Sequence, residues 1–188
     1  MNREQWLTDL GKQLERFFAG VKLAPYKVSC SFPSHRAFSP RYRVVGQCFG
    51  AEVSKGQMHE LFVSPLLDDP LEVAGTLCHE MVHVAAGVKA NHGPGFVKVA
   101  RFVGLTKGKP TTALPCDALA EKILKIIEKQ GAYPHKAIVP SMRLREKKCT
   151  IAKLLCTACG CRMHISLKWL GESGLPTCGC GEPLGVVV

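Results

Sequence analysis

Apolar residues recur at helical spacing through the first stretch of the chain, at Trp6, Leu7, Leu10, Leu14, Phe17 and Phe18. That i, i+3/i+4, i+7 rhythm predicts an amphipathic helix from Arg3 to Phe18, one face on a core. Extended segments follow. Leu23 to Phe32, with Pro25 and Pro33 near its ends, predicts a first strand. Arg43 to Val53 predicts a second, with Val44, Val45, Cys48, Phe49 and Val53 apolar. His59 to Ser64, closed by Pro65, predicts a short third. Asp69 is placed to cap the next helix, and Pro70 suits its first position. That helix is expected to run to about Ala86 and stop near Gly87. Two more are expected, from Pro94 to about Gly104 and from Asp117 to about Lys129, the latter ending at Gly131.

From Ala132 to Thr150 the period disappears. Pro134, Pro140 and the basic run Arg143-Leu144-Arg145-Glu146-Lys147-Lys148 enter instead. The organisation this implies is an α+β domain over 1–135, with helices on a small mixed sheet. A basic linker follows over 136–150, and a small β, cysteine-rich segment over 151–188.

Composition narrows the class. The chain has 188 residues, 46% of them hydrophobic and 21% charged. These values exclude a largely disordered, collagen-like or coiled-coil chain. No stretch approaches the roughly 18 apolar residues of a membrane span, so no membrane partner is expected. The charged N-terminal stretch lacks the apolar run of a secretion signal, so the expected location is cytoplasmic: nucleoid-associated, or the host cytoplasm for a phage-encoded chain. The net charge of +10 favours a polyanionic partner, nucleic acid first. Its weight falls on Lys122, Lys125, Lys129, Lys136, Arg143, Arg145, Lys147 and Lys148, although charged helix faces and linkers are commonly just solvated. Ten cysteines in a reducing compartment are expected to be free thiols or metal ligands. No glycine-rich phosphate loop is present.

The helix expected over Leu71–Ala86 contains His79-Glu80-Met81-Val82-His83. Residues at i and i+4 stand one turn apart on one face, so both imidazoles can reach one metal. Glu80 then lies close enough to act on a water bound there. A catalytic zinc needs a third protein ligand and an open position. His92, in the turn Asn91-His92-Gly93-Pro94-Gly95, is the candidate, brought back by a reversal at Gly87. A chance match on an amphipathic helix is the plain alternative. The helical setting, the apolar flanks Leu77, Met81, Val82, Val84 and Ala85, and the following histidine count against it.

Cys156-Thr157-Ala158-Cys159-Gly160 and Cys178-Gly179-Cys180-Gly181 have the spacing of two zinc knuckles, the second with one intervening residue where two are usual. So short a segment cannot fold on apolar area alone, and a structural zinc on Cys156, Cys159, Cys178 and Cys180 would supply the folding free energy. Cys161 can in principle replace Cys159, but only Cys159 has the usual spacing. Cys30, Cys48, Cys78, Cys116, Cys149 and Cys161 are otherwise expected to be plain thiols. Arg162, His164, Lys168 and Trp169 are expected on strands between the knuckles. Arg162, Lys168 and Trp169 are the candidate nucleic-acid contacts, stacking on an unpaired base and holding phosphates. The reading favoured for Trp169 is that it covers the segment's small core.

Taken together, Met58–Gly87, the Asn-His-Gly-Pro-Gly-Phe run at 91–96 and Lys168–Gly181 resemble the SprT-like metalloproteases, which include the Spartan proteases. The glycine-leucine-proline-x-cysteine ending at 174–178 is close to that of bacterial and phage members. The resemblance covers nearly the whole chain. It implies a compact zincin domain with His79, His83 and His92 on zinc and Glu80 as general base, followed by a zinc ribbon on the four cysteines. It also implies proteolysis of DNA-bound or crosslinked proteins, with DNA, single-stranded or junction-containing, as partner and activator. A non-proteolytic DNA-binding accessory protein built on a zincin scaffold is the alternative from another class, although a scaffold needs no general base. A hydrolase acting on cell-wall peptides is a third.

Overall fold

The computed structural model describes residues 1–139 and 150–187. Arg143, Arg145, Lys147, Lys148 and Cys149, and with them most of the expected linker, lie outside the described residues. The chain divides into two compact units, Met1–Pro140 and Ser141–Val188. Among the described residues the class is mixed α and β, and no helix is long and apolar enough to cross a membrane.

The first unit is organised around one helix. Helix α1 (Arg3–Leu14) starts where the Asn2 side chain accepts a hydrogen bond from the Gln5 amide (2.8 Å). It buries Trp6, Leu7, Leu10 and Leu14. The expected helix continues only as a 3-10 turn over Glu15–Phe18. Strands β1 (Tyr26–Cys30), β2 (Gly46–Phe49) and β3 (His59–Val63) form a sheet in the order β1-β3-β2. β1 runs parallel and β2 antiparallel to β3, with Val28 and Cys48 both opposite Leu61. β2 is therefore an edge. It is shorter than the expected Arg43–Val53 because Gly50 turns the chain into a 3-10 turn at Ala51–Val53.

Helix α2 (Pro70–Ala86) lies at the centre, packed on β2, β3 and both later helices. Asp69 accepts from the Glu72 amide (2.8 Å), Pro70 opens the helix, and Gly87 at φ 82° ends it. Helices α3 (Pro94–Val103) and α4 (Asp117–Gln130) close over it. Between them, β4 (Leu105–Lys107) pairs with β5 (Leu114–Pro115), a ladder too short to show as alternation in the sequence. The end of α4 is tied to α1. Trp6 Nε1 donates to the Gly131 carbonyl (3.0 Å), Gln130 Nε2 donates to the Trp6 carbonyl (2.7 Å), and Trp6 packs on Tyr133. The chain then docks on the 65–68 turn, where the Ile138 amide donates to Pro65 (2.8 Å) and the Ala137 amide to Asp68 (3.1 Å). The first unit thus extends past the expected boundary at 135.

The second unit is a three-stranded antiparallel sheet in the order β7-β6-β8, from β6 (Ile151–Leu155), β7 (Arg162–Ser166) and β8 (Gly185–Val187). Between β7 and β8 the chain forms a short helix, α5 (Leu167–Ser173), where strand was expected for Lys168 and Trp169. Ser166 caps it by accepting from the Lys168 amide, and Gly174 at φ 74° ends it. The core is only Ala152, Leu154, Cys156, Cys178 and Leu184, with Ile165 and Leu170 packed on it.

Ile123 of α4 is fully enclosed by the first unit's core. Ile123→Ala is expected to lower that unit's unfolding free energy by about 2–5 kcal/mol, read as a shift in urea midpoint. The metal content of the second unit should stay unchanged.

Candidate metal centres

Helix α2 buries Val73, Leu77, Met81 and Val82, and on the same cylinder it buries Glu80 and His83. Enclosed polar side chains are costly without partners, and each of these has an outlet. Gly87 reverses the chain, a 3-10 turn follows at Val88–Ala90, and Asn91 at φ 48° turns the backbone again. His92 is thereby returned to the helix. Its Nε2 lies 3.2 Å from His79 Nε2 and 3.2 Å from His83 Nε2. Nitrogens bound tetrahedrally to one zinc at 2.0–2.1 Å stand about 3.3 Å apart. The triangle fits such an ion.

The supports of the triangle come from three places in the chain. Phe96, at the start of α3 and fully buried, sets its ring 4.9, 4.5 and 4.9 Å from the rings of His79, His83 and His92. The Asn91 side-chain oxygen lies 3.2 Å from His92 Nδ1, so that nitrogen is assigned as the donor and Nε2 keeps its lone pair. The Ala113 backbone, just before β5, acts on His79 in the sense that favours the protonated ring, against the larger effect of burial. Burial, and then the neighbouring rings, push His79 down to about 4 and His83 to about 3, and burial also lowers His92. All three are neutral ligands at neutral pH.

Glu80 faces the opposite wall. A side chain on Gly46 of β2 would collide with the Glu80 carboxyl and come within 2.7 Å of Thr76 Cγ2. The absent side chain at Gly46 is what lets the sheet edge lie against this carboxyl. No described residue hydrogen-bonds Glu80, and burial pushes it up to about 8. A dication in the histidine triangle favours the carboxylate and opposes that shift. Glu80 and the three histidines line one cavity of about 540 Å³, walled by residues 43–48 and 111–114.

The second unit brings its four candidate cysteines together. Cys156 Sγ lies 3.5 Å from Cys180 Sγ, and Cys159 Sγ 3.5 Å from Cys178 Sγ. The four sulfurs form one group with ligand atoms within 4.8 Å of one another. Gly160 (φ 73°) and Gly181 (φ 93°) fold each knuckle back, their amides donating to Cys156 and Cys178 at 2.9 Å. Only glycine adopts that backbone without strain. A backbone hydrogen bond at Cys180, and then the facing thiols, draw Cys178 down to about 7. Cys161 lies outside the group. The donor chemistry of both sets, three imidazoles and four thiols, is compatible with zinc.

The expected nucleic-acid contacts do not share one element. Arg162 lies on β7, whereas Lys168 and Trp169 lie on α5, Lys168 Nζ being 5.7 Å from the Trp169 ring centre. Trp169 is 56% exposed, so it does not cover the small core; Leu170, next in the helix, packs there. Gly46, Asn91, Phe96 and Ala113 support the site and carry no metal-ligand signature. The run ending in Phe96 was the only one visible as a pattern. No protein-family model matches the chain, and comparison with curated proteins and with solved structures gives no match.

Two ions per chain are expected by elemental analysis. His83→Ala and Cys156→Ser should each remove one, and only Cys156→Ser should melt the second unit. Gly46→Ala is expected to displace the Glu80 carboxyl, read in a crystal structure, while the ion count stays unchanged.

Proposed function

We propose that this chain is a zinc-dependent endopeptidase of zincin type that hydrolyses DNA-associated proteins, with a structural zinc in its ribbon. The observation that carries the reading is the pairing of a three-histidine triangle with an unpartnered, enclosed carboxyl in one cavity. A structural site has four filled positions and needs no base beside it.

His79, His83 and His92 would hold the catalytic ion, while Cys156, Cys159, Cys178 and Cys180 would hold the structural one. Zinc bound by the histidines supplies a Lewis acid for the scissile carbonyl and lowers the pKa of water. Glu80 takes the proton of the attacking water and returns it to the leaving amine. β2 borders the same cavity with one edge unpaired, so an extended peptide can lie along it by strand addition. The Asn91 contact would hold the His92 imidazole in the tautomer that binding requires.

The DNA part of the reading rests on the +10 charge, the exposed lysines of α4 and the exposed Lys168–Trp169 pair. An indole beside a cation is suited to stacking on an unpaired base. The similarity to the SprT-like family points the same way.

Glu80→Gln should keep both zinc ions and lose at least about 100-fold in cleavage of an unfolded protein. Wild type and variant are compared with and without single-stranded DNA. Cleavage that needs Glu80 and rises with DNA supports the full reading. Cleavage that needs Glu80 alone removes DNA as its activator. DNA binding with no cleavage by zinc-loaded wild type overturns the peptidase in favour of an accessory DNA-binding protein.

A further inference from the structure

The connection between β1 and β2 carries Arg36, Arg41 and Arg43 and no acidic residue. It is closed by its own backbone. The Ser39 amide (3.1 Å) and the Val44 amide (3.3 Å) both donate to the Arg36 carbonyl, which brings residue 36 beside the segment containing Arg43. Gln47 of β2 fastens the base of the loop, accepting from the Ser34 amide (2.7 Å) and donating to its hydroxyl (2.9 Å). Arg36 itself sits at φ 53°. A non-glycine residue holds that conformation only where its surroundings impose it.

Arg36, Arg43 and the neighbouring His35 line the cavity that holds Glu80 and the histidine triangle. Neither guanidinium makes an ion pair or a side-chain hydrogen bond with another described residue. Among the described residues, Glu80 is the only carboxylate lining the cavity. Arg43 precedes Gly46 by three residues, which places their Cα atoms no more than about 11 Å apart. That is about three residues along an extended peptide.

We propose that Arg36 and Arg43, with His35 beside them, form a subsite that receives an acidic side chain of a polypeptide substrate within about three residues of the bond to be cut. The proposal rests on the peptidase reading. Guanidinium groups match carboxylates with paired hydrogen bonds, and a loop fastened at its neck presents them with little ordering left to do. A nucleic-acid strand fits this place less well. Its repeating phosphates call for cations spread along a groove, whereas the cavity's lining among the described residues has two arginines and no lysine.

The test uses the full zinc-loaded chain and a library of peptides read by mass spectrometry. It is followed by kcat/KM for matched peptides carrying Glu or Gln at the selected position. Wild type should favour Glu by about tenfold or more, and added salt should reduce the ratio. In Arg36→Gln/Arg43→Gln the ratio should fall to about one, and Arg43→Glu should shift selection toward Lys or Arg. Cleavage with no acidic preference overturns the subsite while leaving the peptidase standing. So does loss of single-stranded DNA binding in the double variant with the Glu:Gln ratio unchanged. If wild type cleaves no peptide, the peptidase reading fails separately. Binding of the same labelled peptides to Glu80→Gln then decides the subsite. Tighter binding of the Glu peptide that is lost on adding Arg36→Gln/Arg43→Gln supports it, and equal binding overturns it.

Discussion

One helix in this protein carries two incompatible demands. α2 must fill the centre of the first unit with Val73, Leu77, Met81 and Val82, yet it also holds His79, Glu80 and His83 out of bulk water. Enclosing those groups inside an apolar core without partners would destabilise the fold. The surrounding architecture relieves this for the histidines and leaves Glu80 facing a cavity. The chain reverses at Gly87 to bring in a third imidazole, Phe96 forms a floor under the three rings, and β2 approaches Glu80 only through a glycine. A cavity of about 540 Å³ remains beside these groups.

The second unit meets the opposite difficulty. Its enclosed residues are few, and two of them are cysteines. An apolar core of that size does not offset the entropy of ordering the chain. Four converging sulfurs, two glycine-backed knuckles and a thiol already drawn toward ionisation make a metal the natural source of the missing stability. A metal would thus have different work in the two units: in the first the fold precedes the site, and in the second the site would make the fold.

The same separation organises the functional reading. The groups suited to hydrolysis, the unpaired strand edge and the loop arginines all border one cavity of the first unit. The exposed indole and its neighbouring lysine lie on the second. Recognition of a polyanion would then use the α4 lysines of the first unit as well as the Lys168–Trp169 pair of the second, with the selection of polypeptide sequence resting where the chemistry is.

Local signals were legible in the linear chain. The i, i+4 histidines, the cap at Asp69, the stops at Gly87, Gly104 and Gly131, and the two knuckles depend on residues close in sequence, so their spacing reports their geometry. The helical periods of α1, α2 and α4 were legible for the same reason. Contacts between distant segments were not. Gly46 against Glu80, Ala113 on His79, Trp6 on Gly131 and Arg36 beside Val44 each join parts of the chain whose patterns carry no mutual signal. At Lys168 and Trp169 the local reading also failed, because a cap at Ser166 and the packing of Leu170 outweighed the strand expected between knuckles. Residue types and local spacing are enough to name the candidate metal ligands, His92 included, and the main helices of the first unit. What lies against the carboxyl and which cations border the cavity follow only from the folded chain, because such long-range contacts are set by the packing of whole elements and not by any local preference.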